Sequence, residues 1–325
     1  MSAYILRRLL YALPILFGVN LFTFLLFFGL NSPDDIARMQ LGAKYTTTEA
    51  IERWKAERGY DKPMFWNPAR AGMEKLGDTL FVDKSLRMFT FDFGRAGDGH
   101  DIAREIRSRM WPSLAVALPT FVLGLFAAIV FALLLVFFRA TVLDFWGVAL
   151  CVAMMSISSM FYIIGGQWLV SKTWALVPVS GYAGGIDMAR FLGLPVLIGV
   201  VAGLGAGTRW YRTIFLEEIS RDYVRTARAK GLSELAVLFR HVLRNALIPI
   251  LTGVVVVIPS LFLGSLLMES FFAIPGLGSY TIDAIRSQDF AVVRAMVFIG
   301  SVLYIVGLIL TDLSYTLADP RIRLG

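Results

Sequence analysis

The amino-acid sequence predicts an all-α membrane protein that crosses the bilayer six times. Hydrophobic residues make up 57% and charged residues 17% of the 325 positions. An average soluble domain carries about 25% charged residues, so this chain has too few charges to cover its apolar surface in water. Six apolar runs, roughly 9–30, 113–138, 145–169, 191–208, 248–268 and 295–317, each approach the ~20 residues a helix needs to cross a hydrocarbon core. Six such runs cannot be buried together in one small soluble domain.

The first run follows Arg7 and Arg8. It is too long for a signal-peptide core and no small-residue cleavage site follows, so it reads as an uncleaved anchor helix. Residues 31–112 come next. Thr46 and Glu49 have capping-box spacing, and a helix from there is expected to stop at Gly59, with Ile51 and Trp54 on one side. The stretch FTFDFGRAGDG at 89–99 suggests aromatics docked on something apolar. The segment reads either as a cap or docking surface or as a packed loop that shields the bundle.

The second run covers 113–138. The third, 145–169, carries Ser156, Ser158, Ser159, Gly165, Gly166 and Gln167. Such a face bonds to neighbouring helices or lines a water-filled path, and hydroxyls also satisfy themselves on their own helix backbone. In the fourth run Gly199, Gly203 and Gly207 make two GxxxG steps for close helix approach. The fifth ends near Glu269, and the sixth holds Asp312 toward its far end. Each is read as an ion-pair partner for another segment or as a substrate ligand. Ser156, Ser159, Gln167 and Glu269 are therefore the candidates for a translocation path.

With an even number of spans, both termini share a side with 139–144 and 209–247. Those pieces (1–8, 139–144, 209–247 and 318–325) hold thirteen Lys or Arg, whereas the short loops opposite hold Lys172, Arg190, Arg286 and Arg294. By the positive-inside rule both termini are cytoplasmic and 31–112 is periplasmic. That segment carries 14 basic and 13 acidic residues, and long loops translocate largely regardless of charge. Arg104, Arg107 and Arg109 count against this orientation without reversing it. The net charge of +7 then marks the inner leaflet and its anionic lipids rather than a nucleic acid.

Chemistry is sparse. One cysteine, Cys151, excludes an intrachain disulfide, and His100 and His241 are too distant in sequence to suggest a zinc site. No G-x-x-x-x-G-K-[ST] loop occurs, so the chain does not bind ATP in the P-loop manner.

The dense region is 209–247. SRDYVRTARAKGLSELAVLFRHVLRNALIPI reads as helix, break, helix. Val224, Ala227 and Lys230 suit a first helix, Gly231 stops it and Ser233 caps the second, which sets Leu235, Leu238, Val242 and Ala246 on one face beside Arg240 and Arg244. This is an elbow projecting from the membrane, in a protein whose other inward pieces are tiny. A helix-turn-helix DNA reader would need a globular core that the flanking spans exclude. A membrane-surface helix remains an alternative.

At this loop the chain resembles the permeases of bacterial ABC importers of the oligopeptide/dipeptide (nickel) class. RTARAKG at 225–231 is similar to their EAA motif, with Arg225 at the Glu position, Thr226 at the first Ala, and Pro249 at the tail proline. The forms YxRTARAKGLS and RHxLRNALIP are usual in this subfamily. YILRRLLYALPILFGV at 4–19, GYDKP at 59–63, FDFGRA at 91–96, ESFFAIPGLG at 269–278 and DLSYTLADPRIR at 312–323 also resemble it, so the resemblance spans nearly the whole chain.

The resemblance implies a type I ABC importer permease architecture: N-terminus 1–8, first span 9–30, periplasmic segment 31–112, permease core 113–317 and C-terminus 318–325. It implies that Tyr223, Arg225, Thr226, Ala227, Arg228, Ala229, Lys230, Gly231, Leu232 and Ser233 form a coupling helix seated on an ATPase subunit, with Arg225, Arg228 and Lys230 facing acidic groups there. It implies a second related permease, two ABC ATPases carrying ATP and magnesium, an extracytoplasmic solute-binding protein touching 31–112 and 269–290, and no cofactor on this chain. The rival is a stand-alone secondary transporter or channel, which would show inverted repeats or broken helices with midplane charges. A membrane-embedded enzyme would need a nucleophile and base or a metal cluster, which the sequence does not offer.

Overall fold

The computed structural model describes residues 2–42 and 47–318. Its principal helices are α1 (Ser2–Leu30), α2 (Pro33–Leu41), α3 (Thr48–Arg58), α4 (Ile102–Phe137), α5 (Val142–Ser156), α6 (Ser159–Gly166), α7 (Met188–Ile219), α8 (Asp222–Ala229), α9 (Glu234–Leu263), α10 (Leu266–Phe272), α11 (Leu277–Arg286) and α12 (Phe290–Ala318). The described residues contain no named strand. Among the described residues, five helices are long and apolar enough to cross a membrane: the 7–30 part of α1, then α4, α7, α9 and the 290–314 part of α12.

The sixth crossing differs from expectation. Instead of one span over 145–169, α5 and α6 with its π-helical extension Gln167–Thr173 meet at 88°. The 15 residues of α5 reach only about 22 Å at ~1.5 Å per residue, short of the ~30 Å hydrocarbon core. Ile157 takes an extended backbone and Ser158 restarts the helix as its N-cap. The apolar run is continuous in sequence, so periodicity carries no sign of the break.

Two other ends move. α4 begins at 102 rather than 113, which puts Arg104, Arg107 and Arg109 on helical turns instead of in a loop. The fifth helix stops at Leu263, where Gly264 (φ +70°) breaks it, so Glu269 lies on the separate helix α10.

The chain divides into two compact units. One comprises residues 2–110 with 280–309. Its core is aromatic: Phe24, Phe28, Ile36, Ile51, Trp54 and Leu80 are buried, with Tyr60, Phe81 and Phe290 packed against them. Phe24 contacts the rings of Phe28, Phe65 and Phe81 at 4.7–5.5 Å between centroids, each such pair worth about 0.5–1.5 kcal/mol. A capping box, Ser32 with Asp35, starts α2 after Phe28.

Helix α3 ends at Gly59 in the left-handed region, and Ile51 and Trp54 share its buried side. Its cap is Thr47, whose hydroxyl accepts from the Ala50 N–H; Thr46 lies outside the described residues. The 89–99 aromatics dock inside this unit, Phe89 and Phe93 against Phe298 of α12 at 5.3 and 6.3 Å.

The other unit comprises 111–279 with 310–318. One core joins α4, α7, α8 and α9 through Ala132, Val136, Phe215, Val224, Ala227, Val237, Val242 and Ala246. A second joins α4, α6, α7 and α10 through Val116, Ile163, Leu194, Ile198, Met268 and Phe272. Glycine packing is close at Gly199, where a Cβ would come within 2.5 Å of Thr120, and at Gly207, 3.0 Å from Ala128. Gly203 faces open space, and the tightest backbone approach is at Gly205, 2.6 Å from the Cys151 carbonyl. The GxxxG row thus contributes two contacts, and the intervening Gly205 adds one on another face of α7.

Candidate functional site

The 209–247 region is mostly helical. Helix α7 runs to Ile219, α8 follows after Ser220 and Arg221, and α9 starts at Glu234. Only 230–233 form a real elbow. Gly231 has φ +78°, a conformation that costs a residue with a Cβ roughly 1–2 kcal/mol, and its N–H donates to the Arg228 carbonyl at 2.9 Å. Space around Gly231 is open, so its own chain demands glycine for backbone conformation alone. Ser233 caps α9 by accepting from the Ala236 N–H.

The elbow is packed rather than free-standing. Val224 and Ala227 are buried against α4, α7 and α9, and Leu232 packs on the same core. The expected apolar face of α9 is shifted at its start. Leu238, Val242 and Ala246 are buried as the pattern predicts, but Leu235 is exposed and Val237 takes the core position. The cause is the π-helical turn Leu238–Val242, whose extra residue per turn rotates the preceding turn out of register.

The charges sort themselves in a way the spacing does not predict. Arg228 makes a forked ion pair with Glu234 across the elbow, at 2.7 and 3.2 Å, and Arg139 from the loop after α4 lies 3.8 Å from the same carboxylate. Arg228 beside it holds the Glu234 carboxyl below its ordinary value. Tyr223 donates its hydroxyl to Glu218, and the Thr226 hydroxyl donates to the Asp222 carbonyl. Arg225 makes only an exposed contact with Asp222 at 3.6 Å. Ala229, Lys230 and Ser233 are exposed. Of the three cations expected to face outward, Arg225 and Lys230 do so and Arg228 is turned into an internal clamp.

Sequence reading missed a second ion pair behind this elbow. Arg212 donates from Nε and Nη2 to the two carboxylate oxygens of Asp144, at 3.1 and 2.8 Å, tying α7 to the first turn of α5. Asp144 is 8% exposed. A buried bidentate pair fixes orientation, and the only sequence signal was one acid in a basic-poor six-residue loop.

The translocation-path candidates fall in two groups. Ser156 and Ser159 are exposed at the α5–α6 break, with the Ser156 hydroxyl bonded to the Val152 carbonyl. Gln167 and Glu269 are committed to structure. The Gln167 side-chain amide donates to the Val179 and Phe271 carbonyls at 3.0 and 3.1 Å. Glu269, 1% exposed, does not meet the basic partner that was expected. It accepts from the Ser265 and Ser279 N–H groups at 3.1 Å each and from the Ser113 hydroxyl of α4. A methyl on Gly264 or Gly276 would collide with this carboxylate, and one on Gly278 would strike the Ser265 carbonyl. The glycines of ESFFAIPGLG therefore make room for an acid that caps α11.

Five helices long and apolar enough to cross a membrane, one bent pair and a packed basic elbow among the described residues fit a multi-pass membrane protein. The family model described as "binding-protein-dependent transport system inner membrane component" matches residues 107–324, and the N-terminal model of the same kind of component matches 1–70. The chain belongs to this family: it is a multi-pass inner-membrane permease subunit of an ABC importer, not a catalytic subunit. It is 32% identical over 75% of its length to the dipeptide transport system permease protein DppB of Bacillus subtilis, 78% of which is covered. It is 29% identical over 99% of its length to the oligopeptide transport system permease protein AppB of Bacillus subtilis (100% covered) and to the di/tripeptide transport system permease protein DppB of Pseudomonas aeruginosa (99% covered).

Proposed function

We propose that this chain forms half of the translocation pathway of an ATP-driven importer for peptides or a related small solute, and that residues Tyr223 to Ser233 dock in a cleft of a partner ATPase. The observation that carries the reading is the elbow itself. It is packed on the ends of α4, α7 and α9 and latched by Arg228–Glu234, while Arg225 and Lys230 remain exposed for acidic groups on a partner. A rigid elbow transmits a push to the helices it is packed on. Closure of the ATPase dimer would then shift those helices between inward-open and outward-open states, a change driven by differential binding.

On this reading both termini are cytoplasmic and 31–112 is periplasmic. The assembly contains a second related permease and two ABC ATPases that hold ATP and magnesium and hydrolyse the nucleotide. An extracytoplasmic solute-binding protein delivers the cargo, the chain sits in membrane lipid without nucleic acid, and no cofactor is held by this chain. The path is lined in part by the exposed Ser156 and Ser159, whereas Gln167 and Glu269 brace the surrounding backbone.

One observation favours a second reading: the 88° break is a feature of secondary transporters, where broken helices bind substrate. Here the break is flanked by Met155, Ile157, Met160 and Phe161 and carries no ionisable residue, which weakens ion coupling at that point.

The test is to tag the C-terminus, extract the protein gently from its native membrane and identify what accompanies it by mass spectrometry. A related permease with P-loop ATPases is the expected result. Recovery of this chain alone, with solute flux in liposomes that needs no ATP, would replace the importer reading by the second one.

A further inference from the structure

The unit formed by residues 2–110 and 280–309 contains a cavity of about 350 Å³ that import, as described above, does not use. Arg294 lines it. Although sequence pattern put this residue in a loop, it sits in α12 and is 3% exposed. Its Nη2 donates to the Lys84 carbonyl and the Ser85 hydroxyl at 2.8 and 2.6 Å. Its guanidinium lies over the rings of Phe28 and Phe24 at 5.1 and 5.6 Å, and its Nε has no hydrogen-bond partner.

Among the described residues no carboxylate comes within ion-pair distance of Arg294. Of the four acids on the cavity wall, Glu57 is exposed to solvent and the other three are already engaged. Asp83 pairs with Arg87 at 3.0 Å and Lys84 at 3.5 Å, Asp289 accepts from the backbone N–H groups of Gly97 and Val292, and Asp92 accepts from the Gly94 N–H at 3.1 Å. Burial of a charge is costly unless it is paired. A latch between α12 and the Lys84 carbonyl and Ser85 hydroxyl would need only Nη2. The remaining guanidinium edge is positive, buried and beside empty volume of the size at which small-molecule sites begin, about 300 Å³.

We propose that this cavity binds a small solute through its carboxylate, with Arg294 as the counter-ion. A guanidinium presents paired N–H donors that match a carboxylate fork, and the neighbouring Lys84, whose ammonium burial pushes below its ordinary value, gains from an added negative charge. The volume admits an amino acid or a dipeptide. This site is independent of the coupling role of the elbow and of whichever cargo the importer carries.

The experiment uses the full chain in nanodiscs of zwitterionic lipid at low salt, titrated by calorimetry with succinate, dialanine and dialanine amide. Succinate and dialanine are expected to bind saturably, and the amide, which lacks the carboxylate, about ten-fold or more weakly. Arg294→Lys should weaken binding about ten-fold because a point charge replaces the fork. Ala291→Phe, which fills the cavity and leaves Arg294 in place, should abolish it without changing the unfolding temperature, and this variant decides the matter if Arg294→Lys does not fold. Equal binding of acid and amide, unchanged binding by Ala291→Phe, or no saturable binding up to about 10 mM probe would each overturn the proposal.

Discussion

Replacing Glu269 with Ala tests the strongest structural conclusion drawn from the site. The carboxylate is 1% exposed and accepts from the Ser265 and Ser279 N–H groups and the Ser113 hydroxyl. Truncation strands three buried donors at about 1–3 kcal/mol each, so the loss is at least about 3 kcal/mol, large beside the ~5–15 kcal/mol that holds a typical domain together. Glu269→Gln keeps one carbonyl oxygen but turns an NH2 group toward a donor, so roughly half the loss is expected. Burial raises the Glu269 carboxyl, outweighing the Ser113 hydroxyl and backbone N–H groups that lower it. A raised folded-state value means the contribution is full below the unfolded value near 4.5 and is lost as pH rises through the folded one. The advantage of wild type over Glu269→Gln should therefore shrink across that interval. The assay is unfolding of the detergent-purified chain by circular dichroism, from pH 4 upward. If Glu269→Ala unfolds with wild type, the carboxylate is not holding the 265–279 turn and the reasoning fails.

Replacing Gly231 with Leu should abolish solute uptake in cells while membrane insertion and abundance stay normal, since φ +78° adds only about 1–2 kcal/mol of strain and the side chain enters open space on the surface proposed to dock on the ATPase. Normal uptake at normal abundance would sink the coupling assignment. Gly205→Leu should destabilise the purified chain by about 1–3 kcal/mol or more, because its Cβ meets the Cys151 carbonyl at 2.6 Å; a thermal scan reads this directly. The elbow latch should loosen as pH falls below the ordinary carboxylate value of 4.5, because the Glu234 value is lowered when folded, chiefly by Arg228, and stability present above the unfolded value is lost as pH falls through the folded one. Its exposed geometry limits the effect to under about 1 kcal/mol. Hydrogen exchange over 222–237, corrected for the intrinsic rate, should show this in wild type and not in Glu234→Gln.

Much of the architecture was legible because lipid imposes length and polarity at once: apolar runs of about 20 residues had to be helices, and four of the six run without a break, the others parting at Ile157–Ser158 and at Gly264. The elbow was legible for a local reason. Gly231 and Ser233 are a stop and a cap whose effects depend only on nearby backbone. The break at Ile157–Ser158 was not legible, since a serine within an apolar run serves equally as a helix residue bonded to its own backbone or as an N-cap.

Side-chain roles divide along the same line. Composition and pattern identified Arg225, Arg228 and Lys230 as one basic cluster, but only packing separated Arg228, drawn across the elbow to Glu234, from the two that stay exposed. Glu269 was conspicuous in sequence as an acid beside an apolar run, yet its partners are Ser113, 156 positions earlier, and two glycine-framed turns of backbone, at 264–265 and 276–279, that no periodicity reveals. Arg294 read as one more loop charge and is instead buried over two phenylalanine rings. Pattern along the chain was enough to place the apolar runs and the points where helices stop for local reasons. Tertiary structure alone decided which charges are spent internally, because that depends on distances between residues far apart along the chain.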